Sequence, residues 1–384
     1  MLNLQSLKVK VFKTDIAPLV LSLTMYETIK GNVRGSMTVL DNINFMDTFL
    51  GTTHAPLRIE FGYQGYFYQN NFYIDGVESM VIKKSGKQYT IHFIANTTFH
   101  NQIVRINEAY SGRGDQIIKS IFVEACDGPF IKDSKSITKG RYIVPGITAH
   151  EAISHVVNTC YDENSSGMLL YQRVCEEGVT RLTSLHDMEN NYFYERSLIG
   201  TVTYSTVYKL RATVAGALGD DDGIDPNQQI GTTPGFVLDE YNMNFVQKLG
   251  MGAYGNKIKN FKIDETKEEE FTPAEKTHIP KTYIPLSKKL YDNGESSVFS
   301  TWCTPEANFA INQKFRAYNQ RMTAPNVVAV PGLGCGYSIN VESGGSNLSK
   351  TKTDTGYIVS TINHKFTMHD GDHQYAQDIG LMRE

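Results

Sequence analysis

Residues 19–25 read Leu-Val-Leu-Ser-Leu-Thr-Met, with a large apolar side chain at every odd position and polar ones at the even positions after Val20. Leu57-Arg58-Ile59-Glu60-Phe61 and Tyr89-Thr90-Ile91-His92-Phe93 repeat that period of two. Such a period sends alternate side chains to opposite faces of a strand, one into a core and the other to water or a partner. Ser85-Gly86-Lys87, between Met80-Val81-Ile82 and the Tyr89 strand, predicts a hairpin turn. Six or seven short strands in about the first 100 residues predict a sandwich or small barrel.

After His100 the period changes. Ile118, Ile121, Phe122 and Ala125 fall at i, i+3, i+4 and i+7, the buried stripe of an amphipathic helix. A second helix is predicted to start at Thr148, where Glu151 completes a capping box. Its stripe is Ala149, Ala152, Ile153, Val156, Val157 and Cys160. Met168-Leu169-Leu170-Tyr171 and Thr180-Arg181-Leu182-Thr183-Ser184-Leu185 predict a strand pair around Glu177-Gly178. Residues 101–190 thus read as a small α+β unit of their own.

Strand character resumes at Leu198–Leu210 and then breaks at Gly219-Asp220-Asp221-Asp222-Gly223-Ile224-Asp225-Pro226, a polar loop that offers nothing to a core. Residues 264–297, with Lys267-Glu268-Glu269-Glu270, Pro273, Pro280 and Pro285, read as an extended excursion over a surface. Thr304-Pro305-Glu306 supplies a cap, a first-turn proline and an acid near the positive dipole end of a helix. Ala307, Ile311, Phe315, Tyr318 and Met322 would form its buried stripe. The last stretch is β again, with Pro331-Gly332 entering one strand and Asp370-Gly371 turning a hairpin. Phe72-Tyr73-Ile74-Asp75-Gly76-Val77 followed by Gln88-Tyr89 is echoed by Gly356-Tyr357-Ile358-Val359-Ser360-Thr361 followed by Gln374-Tyr375, which points to two similar β modules.

Composition agrees with this picture. Of 384 residues, 22 are Tyr, 19 Phe and 32 Gly, a balance that leans toward strands. A net charge of −4 makes the whole chain no magnet for nucleic acid. No apolar run approaches the roughly 18 residues of a membrane span, so no stable membrane insertion is expected. Met1-Leu2-Asn3-Leu4-Gln5 lacks the basic start of a secretory signal. Five widely spaced cysteines predict no disulfide framework and a reducing cytosol.

Candidate chemistry is sparse. His369-Asp370-Gly371-Asp372-His373 carries transition-metal ligand types, but Asp-Gly at a hairpin tip is accounted for by the turn. Asp220-Asp221-Asp222-Gly223 lacks the alternate acids and later Glu of a calcium loop and reads as solvated. Gly332-Leu333-Gly334-Cys335-Gly336 runs on into Tyr337-Ser338-Ile339-Asn340-Val341, a strand rather than the helix a dinucleotide site requires. Its glycines suit a kink or a close neighbour. His150-Glu151 has no second His at metalloprotease spacing. No catalytic, cofactor-binding or metal residue is assigned, and no cofactor is expected.

The order of elements is itself informative: a β module ending near Ile94-Ala95-Asn96, the helix Asp115-Gln116-Ile117-Ile118-Lys119-Ser120-Ile121-Phe122, and the Pro-containing segment Tyr142–Thr148 leading to the Ala152-Ile153, Val156-Val157 helix. The Met168 strand pair follows, then Pro331-Gly332 with its strand, then Tyr357–Phe366. This order resembles the baseplate hub proteins of contractile-tailed bacteriophages, the T4-like central hub in particular, and is akin to the hub portion of type VI secretion spikes.

The resemblance implies a mainly β fold with α+β insertions and two tube-like β-barrel modules. Residues 1–100 would be the first module and 101–190 the small α+β domain. The second module would begin in 191–262, be interrupted by the 263–303 excursion, and resume with a helix in 304–384. It further implies a non-enzymatic homotrimer: a symmetry adapter between the sixfold tail tube ring and the threefold central spike, touching other baseplate proteins. DNA would only pass through its channel, and the chain would sit in the virion tail after assembly in the host cytoplasm. The competing readings are a tail-associated cell-wall-degrading enzyme and a carbohydrate-binding β protein. A channel for DNA would want a weakly charged or mildly acidic lumen, with Lys83, Lys84 and Lys87 outside it at a module's end.

Overall fold

The computed structural model of the chain describes residues 2–45, 54–83, 86–126, 128–137, 139–164, 166–193, 203–204, 234–239, 244–251, 262–264, 282–284, 320–343, 352–369 and 372–383. The chain opens with β1 (Leu2–Asn3), β2 (Ser6–Val11), β3 (Thr14–Asp15), β4 (Val20–Thr28), β5 (Gly31–Asp41), β6 (Pro56–Tyr63), β7 (Tyr66–Lys83) and β8 (Gly86–Ala95). Then come α1 (Asn96–Ile103), β9 (Arg105–Ile106), β10 (Ala109–Arg113), α2 (Gly114–Ala125), β11 (Phe130–Lys132), β12 (Lys139–Ile143), β13 (Ile147–Thr148) and α3 (Ala149–Thr159). They are followed by β14 (Met168–Gln172), β15 (Thr180–Ser184), α4 (Leu185–Asn190) and β16 (Thr203–Tyr204). A separate four-stranded sheet holds β17 (Pro234–Asp239), β18 (Asn244–Met251), β19 (Lys262–Asp264) and β20 (Thr282–Ile284). The chain closes with β21 (Gln320–Val328), β22 (Ser338–Ser343), β23 (Lys352–His369) and β24 (Asp372–Arg383).

The fold is mainly β with an α+β insertion. One thirteen-stranded sheet runs β16-β21-β24-β23-β4-β5-β8-β7-β6-β2-β3, with β1 on β24 and β22 on β23. Its two halves, from opposite ends of the sequence, meet where β23 pairs antiparallel with β4, from Thr361 opposite Thr28 to Thr367 opposite Ser22. The first residues close the ring. Leu2 and Asn3 pair with Tyr375 and Gln374, the Leu4 N–H donates to the His373 carbonyl (2.9 Å), the Gln5 N–H donates to the Gly62 carbonyl (2.9 Å), and β2 then continues along β6. Closure leaves these strands without the open edges that recruit other chains.

The barrel interior is the apolar face of the period-two strands: Leu23 and Met25, Met37 and Val39, Ile59 and Phe61, Ile91 and Phe93, with Phe366 and Tyr375 from the C-terminal hairpin. Phe366 stacks on Tyr375 at 4.6 Å, and the Phe61 ring meets Phe366 edge-on at 5.0 Å. Ile339, Ile358, Ile362, Ile379 and Leu381 build a second core, with Leu185 and Met188 of α4 laid on it. In the insertion, Ile118, Ile121 and Phe122 of α2 pack on Ala149, Ala152, Ile153 and Val156 of α3. The predicted capping box is present: the Glu151 N–H donates to Thr148 Oγ1 (3.3 Å), and the Thr148 N–H donates to Glu151 Oε2 (2.9 Å). The internal echo is structural too. β7 and β23 are both 18 residues long, both pair with the strand that follows, and both slip register just after the shared Tyr-Ile pair, between Ile74 and Gly76 and between Val359 and Thr361.

Several expectations are corrected. The apolar run at 19–25 does not bury every odd side chain: a bulge between Val20 and Ser22 puts Val20 inside and leaves Leu21 half-buried. The first helix begins at Asn96, before the predicted change, because its buried residues include the polar Thr97 and Asn101 and it carries no apolar stripe to read. Leu185, taken as a strand end, opens α4, whose N-terminus Ser184 caps. Met322 is in a strand, paired with Leu381, and not on a helix stripe; the rest of the predicted helix at Thr304 lies outside the described residues. Residues 332–336 form turns, and the strand starts only at Ser338. Thr282–Ile284, inside the predicted excursion, pairs in parallel with β17.

Candidate functional site

Three parts of the chain far apart in sequence converge on the buried Glu27. The alternation of β4 that buries Leu23 and Met25 also carries Glu27 inward, where it is fully buried. A carboxylate is tolerated there only if its oxygens are satisfied. Oε1 accepts from the Val174 N–H (2.6 Å), in the turn after β14, and Oε2 accepts from the Cys335 N–H (3.0 Å). Oε1 also lies 3.0 Å from His364 Nε2 on β23.

The proton on His364 follows from its neighbours. The Tyr375 hydroxyl, to which Gln377 Nε2 donates (3.0 Å), lies 2.7 Å from His364 Nδ1, and the opposite ring nitrogen faces the Glu27 carboxylate, an acceptor. His364 Nε2–H then donates to Glu27. Gln377 Oε1 accepts from the Val330 N–H (3.0 Å), which extends the chain of hydrogen bonds to β21's end. Burial pushes the Tyr375 phenol well above its ordinary value, against the opposing pull of the Gln377 hydrogen bond.

Arg173 locks the same turns from the other side. It is 1% exposed; Nε donates to the Cys335 carbonyl (2.7 Å), Nη1 to Glu176 (3.0 Å) and Nη2 to the Tyr171 hydroxyl (3.2 Å), with the guanidinium 3.9 Å from the Tyr337 ring centre. Burial opposes its charge, but Tyr171 and Glu176 outweigh that and raise its pKa. Its stem runs against Gly334, where a Cβ would sit 2.6 Å from Arg173 Cδ. The close approach that the sequence assigned to this glycine run is therefore real, although the run is a turn. Tyr68 of the barrel accepts from the Gly332 N–H (3.0 Å), and Asn70 Nδ2 donates to the Val174 carbonyl (2.9 Å). These bonds cover the part of β7 that overhangs β8, whose pairing with it ends at Phe72.

Chemically the arrangement is a clamp. Its thiols are held in the protonated form: burial pushes Cys335 well up and raises Cys175, with Glu27 adding to both shifts. Sequence reading missed Glu27, Arg173 and His364. Glu27 and His364 were visible as charged or titratable residues at core positions of period-two strands; Arg173 left no local signal.

Beside the clamp lies an open cleft of about 830 Å³ between the β4–β5 turn, α1, α3 and β14. Lys30, Arg34, Asp75, Asn101, His150 and Asn158 give it a polar rim. The expected candidates are elsewhere. His369 and Asp372 face each other across the predicted hairpin, and His373 Nε2 is 3.3 Å from the Val20 carbonyl. Asp370, Gly371 and the Asp220–Asp222 loop lie outside the described residues, among which no three metal-ligating side chains cluster. Among those residues no helix is long and apolar enough to cross a membrane.

No family model matches the chain, and no curated protein matches it in sequence. Solved structures do match. The 43 kDa tail protein of prophage MuSo2 from Shewanella oneidensis aligns over 98% of this chain and 98% of its own, with a TM-score of 0.57 at 10% identity. A tail protein from Neisseria meningitidis MC58 aligns over 99% and 96%, with a TM-score of 0.54 at 10% identity. A chain of the half-lidded Francisella PdpA-VgrG complex aligns over 99% of this chain and 58% of its own, at 0.51 and 9%. The fold is that of phage tail proteins, shared with a component of a VgrG complex. The resemblance read from the order of elements holds at the level of fold.

Proposed function

We propose that the chain is the structural hub of a contractile-tail baseplate: a homotrimer, without enzymatic activity, that joins the sixfold tail tube ring to the threefold central spike and forms part of the channel. The supporting observation is the repeated hairpin. β7 and β23 share length, pairing with the strand that follows and a register slip after the Tyr-Ile pair, so three chains offer six such elements around one axis. The division into two tube-like modules around an α+β domain, with boundaries near residues 100, 190 and 304, belongs to the same reading. So do the contacts with other baseplate proteins and the place in the virion tail.

Light scattering of the full chain tests it. The expected mass is three times 43.1 kDa, alone or once tube or spike protein is added. A chain that stays monomeric at micromolar concentration and forms no threefold ring in assembled tails overturns the proposal. Cell-wall cleavage by the purified chain would overturn its non-enzymatic part.

A further inference from the structure

The three-stranded sheet of the insertion runs β11-β15-β14, so β14 stands at its edge. The Met168 N–H turns away from β15 and donates to the Cys160 carbonyl (3.1 Å). By the alternation of an antiparallel ladder the Leu170 N–H and carbonyl turn the same way, and among the described residues no backbone group pairs with them. One step further along, Gln172 reaches β5, where its Oε1 accepts from the Val33 N–H (3.4 Å). An open strand edge is ordinarily blunted by charge, proline or a bulge. Met168-Leu169-Leu170-Tyr171-Gln172 has no charged residue and no proline, and it pairs with β15 without a register slip.

This edge opens into the cleft of about 830 Å³, whose two walls differ in chemistry. Leu169 and Tyr171 pack into the second core with Ile29, beside the β4–β5 turn, whereas Met168 and Leu170 pack into the insertion core with Ile153 of α3. A strand added at Leu170 would therefore send alternate side chains to opposite walls. The α3 wall offers it Ile153 and Val157, and the β4–β5 wall offers Lys30 and Arg34. Arg34 is exposed, its guanidinium 5.5 Å from the Tyr26 ring centre, and among the described residues it has no carboxylate partner. Asp75 is the one acid in the lining, against Lys30, Arg34 and His150.

We propose that the cleft docks an extended segment of another protein, in which acidic residues alternate with apolar ones, and that this segment adds to β14 as a further strand. Its main chain takes the Leu170 N–H and carbonyl, its apolar side chains rest on Ile153 and Val157, and its carboxylates face Lys30 and Arg34. A small anion would leave the strand edge and the apolar wall unused. No part of this docking requires the chain to be a hub, so its failure leaves that reading standing.

The probe is a short capped peptide of alternating valine and glutamate, titrated into the full chain by calorimetry. Saturable binding is expected, weakened about tenfold by Lys30→Glu/Arg34→Glu and weakened also by salt. Circular dichroism checks that this variant, altered at exposed positions only, is folded. Methylating the peptide's backbone N–H groups should abolish binding, because the side chains remain while the ladder is lost. No binding at about 1 mM peptide overturns the proposal. So does equal binding of the methylated peptide or of a valine and lysine peptide. Binding of inorganic phosphate without binding of the peptide would mark a plain anion site. An oligomer that dissociates on Lys30→Glu/Arg34→Glu would mark the occupant as a second copy of this chain. Either result also overturns it.

Discussion

Glu27 Oε1 lies 3.0 Å from His364 Nε2 although 337 positions separate them, and this buried pair ties the first large strand of the barrel to the last hairpin. The carboxylate also holds the Val174 and Cys335 N–H groups, so removing it strands three donors at once. Glu27→Ala should cost about 3–5 kcal/mol of unfolding free energy, and Glu27→Gln about 1–2 kcal/mol because an acceptor oxygen remains. Urea denaturation of the full chain measures both. A loss below about 1 kcal/mol for the alanine variant would mean the clamp is not holding the fold.

Gly336 has φ +81°, and a Cβ there would sit 2.5 Å from the Tyr171 hydroxyl. Gly336→Ala combines an unfavourable backbone region with overpacking and should cost about 2–4 kcal/mol. Removing the hydroxyl relieves part of the clash, so Gly336→Ala/Tyr171→Phe should lose less than the sum of the single changes. Additive losses in that cycle would place the strain in the backbone alone.

Acid should weaken the insertion through Asp115. Its side chain is fully buried; burial raises its pKa, but the ion pairs with Arg113 (3.0 Å) and Lys132 (2.8 Å) outweigh that and hold it below the ordinary 3.8. A folded pKa below the unfolded one means the stabilisation is complete above about pH 4 and is lost as pH falls through the folded value. Asp115→Asn should lower stability at neutral pH and flatten its fall below about pH 4, as read from thermal midpoints across that range. An unchanged acid slope in the variant would assign the loss to other carboxylates.

Cys126 is buried, and its thiol is pushed up to about 12 by burial, against the opposing hydrogen bond to Asn101 Oδ1 (2.6 Å). Its modification by iodoacetamide at about pH 8 should therefore run no faster than local opening of the insertion, and mild urea should accelerate it. Immediate labelling in the native chain would contradict its burial.

Thr148→Ala removes the acceptor for the Glu151 N–H at the start of α3 and should cost about 1 kcal/mol, measured by denaturant midpoint. Thr148→Ser, which keeps the hydroxyl, should cost much less.

What the sequence determined by itself was local. Period-two runs placed β4, β6 and β8, helical spacing placed α2, and Thr148 with Glu151 marked the start of α3, because alternation and capping depend on neighbours a few positions away. The order of those elements was enough to point to the tail-protein fold. What only the tertiary structure decided depends on pairings across hundreds of residues. That Phe366 and Tyr375 complete a core begun by Leu23 and Phe61 follows from β23 pairing with β4. No period along the chain encodes that pairing. The same holds for the clamp: Glu27 and His364 each break a local apolar pattern, and the break becomes intelligible only when folding sets the carboxylate against the imidazole and two backbone N–H groups, so that a buried charge is satisfied where either residue alone would be destabilising.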